Sequence, residues 1–256
     1  MTIALALVTV AVPPTLGAEP PVPRPNPSTD AEAEEVVRPE PNPLVEDTDL
    51  PEDVPQPEPS PFGEETAPEP ANEEALAVCE AELRKLGGVF ERLPMIDGEG
   101  ACGMAAPYRL DRVGRDVGIE PASQMTCETA LAFARWVNKV VAPATDALGD
   151  DTRLVKIRQG STYVCRQRNN LESEKVSYHA FGLAIDVVSF DFDGHAPIAV
   201  VPRAGDGNLE EAFQRAVRGG ACLYFTTVLG PGTDSFHGDH LHLDIAERNR
   251  GYRMCQ

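Results

Sequence analysis

The chain has no CxxC pair, no Lys- or Arg-rich stripe, no internal repeat and only one tryptophan in its 256 residues. Without close cysteine pairs, zinc-thiolate ligation lacks its usual spacing. Without a basic stripe, nucleic acid is not an expected partner. The longest apolar run, within Met1–Ala18 (MTIALALVTVAVPPTLGA), is about a dozen residues, too short to cross a bilayer. It fits the apolar stretch of an export signal, and Gly17-Ala18 supplies small residues for cleavage. No Lys or Arg precedes Arg24, so the basic start of such a signal is lacking, and a start upstream of Met1 would supply one.

Charge is abundant but unevenly placed. Of a net charge of −19, residues 19–75 carry seventeen acidic and two basic side chains, a net of −15, which leaves −4 for the rest. Fifteen of the twenty-four prolines also lie in residues 19–70, as in Pro39-Glu-Pro-Asn-Pro43. Proline removes donors, like charges repel, and few apolar groups offset the entropy of ordering. The expectation is a signal peptide over residues 1–18, a disordered spacer over 19–72 and a folded domain over 73–256. The spacer is either a tether or a tolerated tail.

All six cysteines (Cys79, Cys102, Cys127, Cys165, Cys222 and Cys255) follow the acidic stretch. An even count spread over one exported domain predicts three disulfides, with fifteen possible connectivities that spacing does not decide. Export, to the periplasm or cell envelope, with no membrane span after processing, is the expected location.

Asn72 is a plausible N-cap for a helix with Leu76, Cys79, Leu83 and Leu86 on one face, stopped by Gly87-Gly88. A second helix is predicted from about Thr126 to Val141, which Pro143 ends or kinks. Trp136 and Phe133 on it are read as core. A third runs from Asn208 to Val217, closed by Gly219-Gly220. Strand-like runs are Leu154–Ile157, Leu183–Phe190, Ile198–Val201, Leu223–Val228 and Leu241–Ala246. Runs of strands with segregated helices predict an α+β fold with an antiparallel sheet.

The five histidines lie between residues 179 and 242, four of them in two clusters. The first cluster is Ser177-Tyr-His-Ala-Phe-Gly-Leu-Ala-Ile-Asp186, and the second is His237-Gly-Asp-His-Leu-His-Leu-Asp244. Asp186 sits in an apolar strand-like run, where an unpaired carboxylate is costly to bury and a metal ion would hold it ionised. Gly182 permits a turn between His179 and Asp186. On a strand, His240 and His242 share one face while Leu241 and Leu243 point into the core. Two histidines and one carboxylate leave a fourth position open, the ligand count of a catalytic zinc site. His195, in Asp193-Gly-His, is read as an exposed turn residue.

The pattern S-x-H-x3-G-x-A-x-D followed by H-x2-H-x-H resembles the LAS group of zinc metallopeptidases, the D-Ala-D-Ala carboxypeptidases and murein endopeptidases. Ala101-Cys-Gly-Met, Tyr163-Val-Cys-Arg-Gln-Arg-Asn169, Ser177-Tyr-His-Ala-Phe-Gly, Ala221-Cys and Val228-Leu-Gly-Pro-Gly232 further resemble the extensin-like C-terminal domain of exported bacterial proteins. The two resemblances together cover about residues 77–256. They imply an LAS-like antiparallel sheet with flanking helices, and a zinc (Zn2+) ion held by His179, Asp186 and His242. They imply that His240 stands behind the ligands or meets the reacting group, and that His237 matches a further active-site histidine of the endopeptidase branch. The carboxypeptidase branch has a glutamate as general base where this chain has the shorter Asp239. The proton carrier is therefore Asp239, His237 or His240, and geometry must choose. Arg166 and Arg168 fall where related carboxypeptidases bind substrate, with Ser177 as a further substrate-side candidate. The implied activity is a peptidoglycan D,D- or L,D-peptidase acting on stem peptides or cross-links. The alternative is a zinc-containing module that binds cell wall without cleaving it. Neither reading fixes the oligomeric state.

Overall fold

The computed structural model describes residues 71–170 and 175–256, and the expected signal peptide and nearly all of the expected spacer lie outside them. In chain order the elements are α1 (Glu73–Lys85), β1 (Val89–Arg92), β2 (Ile96–Asp97), β3 (Gly103–Met104), β4 (Tyr108–Val113), β5 (Val117–Glu120), α2 (Cys127–Trp136) and α3 (Ala142–Asp146). There follow β6 (Arg153–Ser161), β7 (Ala184–Asp193), β8 (Ile198–Ala199), α4 (Leu209–Ala221), β9 (Thr227–Leu229), β10 (Leu241–Asp244) and β11 (Met254–Cys255). The fold is α+β. A nine-stranded sheet runs β1-β4-β5-β6-β7-β10-β9-β11 with β8 beside β7, and only β5–β6 and β9–β11 are parallel.

The helices start where short polar side chains satisfy free backbone donors. Asn72 Oδ1 accepts from the amides of Glu74 and Ala75 at 3.1 and 3.2 Å, and Asn208 Oδ1 accepts from Glu211 at 2.9 Å. Pro143 neither ends α2 nor removes a needed bond. A π turn over Val137–Val141 joins α2 to α3, and Pro143 sits in the first turn of α3, where its missing N–H costs nothing. The glycine pair predicted to close the last helix lies inside α4. Gly220 lets α4 pass close to the preceding helix, since a Cβ there would stand 2.4 Å from Val140 Cγ1. Because α4 reaches Ala221, residues 222–226 form turns, and the strand expected over Leu223–Val228 shrinks to β9.

Strands alternate between a buried apolar face and a face that carries the chemistry. Ile185, Val187, Leu241 and Leu243 are buried in one cluster with Trp136, Phe213 and Phe225, and the indole N–H of Trp136 donates to Val217 O at 2.9 Å. Asp186, His242 and Asp244 therefore face the other way. The segment over residues 89–120, not anticipated as strands, supplies β1, β4 and β5. There Tyr108 and Leu110 alternate with Arg109 and Asp111, and charged partners across the ladder (Glu91 with Arg109 at 2.8 Å) mask the apolar period.

Three disulfides form: Cys79–Cys127 ties α1 to α2, Cys102–Cys165 ties the β2–β3 hairpin to the loop after β6, and Cys222–Cys255 ties α4 to β11. Such bonds belong to an oxidising, extracytoplasmic compartment. Among the described residues no helix is long and apolar enough to cross a membrane.

Candidate metal centre

Three elements bring the site together. A 3-10 turn over Tyr178–Phe181 carries His179; the buried Ser177 caps it, accepting the His179 amide at 3.4 Å. Gly182 ends the turn at φ 65°, a left-handed conformation that favours glycine, and a Cβ there would lie 1.9 Å from Met104 Sδ. Its carbonyl accepts from Thr129 Oγ1 and from the Thr126 amide, at 2.9 and 3.0 Å, which fixes the turn to the start of α2. Asp186 on β7 and His242 on β10 are direct cross-strand partners.

His179 Nε2, Asp186 Oδ1 and His242 Nδ1 then form a nearly equilateral triangle. Its sides are 3.2 Å between the histidines, 3.2 Å from His179 to Asp186 and 3.0 Å from His242 to Asp186. Among the described residues this is the one cluster of three ligand-type side chains close enough to share an ion. Ligands about 2.0–2.1 Å from a tetrahedral ion are about 3.3–3.4 Å apart, so the triangle is slightly tighter than one face of such a shell. The remaining imidazole nitrogens meet acceptors. His179 Nδ1 donates to Thr162 O at 2.6 Å, and His242 Nε2 donates to Asp244 Oδ2 at 3.2 Å. Each bond fixes the tautomer that turns a lone pair toward the centre, the support typical of metal-binding histidines. The donor set and its backing both fit a zinc-like dication.

The electrostatics agree with a place made for a cation. Burial alone would raise the carboxyl of Asp186, yet the imidazoles of His179 and His242 beside it hold it well below the usual range. Burial likewise opposes charge on His242, but Asp186 and Asp244 outweigh it and push its pKa up to about 9 when no cation stands between them. Asp244, resisting its own burial, is held low by His242, Thr227 and the Ala246 amide.

A pocket of about 230 Å³ opens over the triangle. Its lining includes His237, His240, Arg166, Arg168, Tyr178 and Arg248. His240 Nε2 is 3.8 Å from Asp186 Oδ1, and its Nδ1 donates to Asp239 at 2.8 Å. Asp239 itself is 87% exposed and touches the centre only through His240. His237 Nδ1 donates to Asp234 at 2.7 Å, and its ring stands 5.2 Å from His240 and 5.7 Å from His242. Its burial, working against Asp234, holds its pKa below the ordinary value. Arg168 lies 5.0 Å over the Tyr178 ring. His195 is remote, packed edge-on against Phe192 with its Nδ1 donating to Ala196 O.

Two charged residues of the pocket escaped the sequence reading. Asp234 is signalled only by its spacing, since an Asp three residues before His237 can accept the amides of Phe236 and His237, as it does at 2.8 and 3.1 Å. Arg248 resembles its neighbours Arg250 and Arg253 in sequence, and no local pattern marks it.

Comparison with curated proteins and with solved structures returns no match. The family model described as extensin-like protein C-terminus matches residues 77–256, which take in the whole pocket and all six cysteines, and the chain belongs to that family.

Proposed function

We propose that the protein is an exported zinc-dependent peptidase that acts on the stem peptides or cross-links of peptidoglycan. The observation that carries this reading is the triangle of His179, Asp186 and His242 at the floor of an open pocket. His179, Asp186 and His242 would hold the ion with three protein ligands, the count of a catalytic rather than a structural site. A dication bound there supplies Lewis acidity, which polarises an amide carbonyl and acidifies water.

The chain's own groups supply the rest. With its Nδ1–H taken by Asp234 and its pKa depressed, His237 presents an unprotonated Nε2 to the pocket and is the residue placed to accept a proton. His240 Nε2, beside Asp186, is placed to meet a developing oxyanion, with Asp239 orienting its ring. Arg166 and Arg168 offer planar donors to a peptide carboxylate. Ser177 sits under His179 and holds its turn. The resemblance to LAS peptidases supports peptidoglycan peptides as the substrate, and the three disulfides agree with an envelope location.

A second reading is a zinc-containing module that binds cell wall without cleaving it. In its favour, Asp239 turns to solvent, and each aspartate of the pocket is already engaged with a histidine. The test is metal content and muropeptide cleavage on the oxidised protein, with chelator controls and a His179→Ala variant. Near-stoichiometric zinc lost in the variant, with cleavage that a chelator abolishes, is the expected result. Full cleavage by a His242→Ala protein would sink the peptidase reading. Tight binding of zinc-loaded protein to wall fragments without product would favour the module.

A further inference from the structure

We infer that Arg248 binds a second anionic group of the substrate, on the side of the metal centre opposite Arg166 and Arg168, so that the preferred substrate is a peptide acidic on both sides of the bond over the metal. The inference rests on the proposed peptidase site and names the chemistry of its substrate.

Strand order separates the two arms. Arg166 and Arg168 follow β6 and lie beside the turn that carries His179, on the β6–β7 side of the site. Arg248 is tied to β9: its Nε and Nη2 donate to Thr227 Oγ1 at 3.1 and 2.5 Å. The strand of His242, β10, lies between β7 and β9. Neighbouring strands are about 4.8 Å apart, so β7, which carries Asp186, and β9 are on the order of 10 Å apart, with His242 on the strand between them. That span suits a short extended peptide laid across the sheet with a carboxylate toward each arm.

The anchoring of Arg248 is specific. Thr227 is buried and pairs with Asp244, the residue that backs His242. One hydroxyl oxygen takes two of the five guanidinium donors and leaves the others toward the pocket. Arg218 and Arg253 show the contrast. Arg218 uses Nε, Nη1 and Nη2 on Gln256 O, Pro231 O and Thr233 Oγ1, and Arg253 binds the carbonyls of Cys222 and Phe225; both are fasteners. Most arginines elsewhere in this acidic chain are matched to a carboxylate, whereas among the described residues none of the three pocket arginines has one. In the pocket three arginines face three aspartates (Asp186, Asp234 and Asp244), so a bound dication leaves the walls positive by two. The complement is an anionic ligand with more than one charge.

The test uses the full oxidised protein loaded with zinc. The probes are the stem peptide L-Ala-γ-D-Glu-diaminopimelate-D-Ala with all carboxylates free and versions with one carboxylate amidated at a time. Binding is read by calorimetry and cleavage by mass spectrometry. Arg248→Gln is expected to weaken the free-acid peptide about ten- to a hundredfold, the loss of a charge-assisted hydrogen bond. That loss should vanish for one amidated peptide, and the loss from Arg166→Gln or Arg168→Gln should vanish for a different one. Arg248→Lys should recover part of the affinity, and zinc content should stay unchanged in all. Thr227→Val, which frees Arg248 without removing its charge, is expected to give a smaller loss of the same pattern. Equal losses for every peptide, no loss, or no binding of the free-acid peptide by the parent protein would overturn the inference. The selective pattern without any cleavage would instead retire the peptidase reading and leave the two-armed recognition standing.

Discussion

At the scale of single residues, the site depends on groups that touch the ligand imidazoles from behind. Asp244 accepts from His242 Nε2 and is itself held by the Ala246 amide at 3.1 Å. Asp244→Asn keeps the shape but removes the charge that orients His242, and about a ten- to hundredfold loss of zinc affinity is expected in a chelator competition. The proton that Asp186 and Asp244 hold on His242 must leave when a metal binds. Because the pKa is about 9 in the folded, metal-free protein and lower when unfolded, that proton stabilises the metal-free fold most fully below about pH 6.5, and the benefit is lost as the pH rises through 9. Zinc affinity should therefore climb roughly tenfold per pH unit toward pH 9 and then flatten, with proton release visible as a buffer-dependent heat. That His179, Asp186 and His242 come together was anticipated in the sequence: a carboxylate inside an apolar run and histidines at strand spacing pointed to a cation site, and the family resemblance singled out His242. Arg248 was not legible, since what makes it matter is the strand order, which brings distant segments to one pocket, and Asp234 was signalled only by its spacing from His237.

At the scale of elements, the turn between Ser177 and Gly182 is the least replaceable part. It must bend sharply and pass beneath Met104 while its carbonyl holds the start of α2. Gly182→Ala combines left-handed strain with a clash, and a loss of roughly 2–4 kcal/mol is expected in chemical denaturation. Zinc content should fall with it, because His179 rides on the turn; a variant with an unchanged midpoint and full zinc would show that the turn is not what positions the ligand. The sequence reading anticipated this turn from Gly182 and the three long helices from caps and apolar spacing, which act locally, although the glycine pair placed the end of the last helix too early. It missed the run from Val89 to Glu120, where cross-strand partners such as Glu91 and Arg109 are distant in sequence, and it read residues 223–226 as strand where α4 runs on to Ala221 and turns follow.

At the scale of the whole domain, an ion held as proposed would join β7, β10 and the turn after residue 177, three segments brought together only by folding. Zinc at about a thousand times its dissociation constant should add about 4 kcal/mol to stability. For a domain of this size that corresponds to a rise in melting temperature of roughly 10 °C over the chelated protein, measurable by calorimetry on the oxidised form. The disulfides act on a different state. They close loops spanning 48, 63 and 33 residues, and in the chain-entropy account each restricts the unfolded ensemble by about 4 kcal/mol. Zinc bound as proposed and the disulfides would thus support the same architecture from opposite ends of the folding equilibrium.

Asp186 and His242 stand directly opposite each other on adjacent strands, flanked by Leu241 and Leu243. A pairing error of one position would place a leucine beside Asp186 and turn His242 into the hydrocarbon core. An ion held by these ligands, as proposed, would therefore fit only the correctly zipped ladder, so that metal uptake would report the native alignment of the sheet.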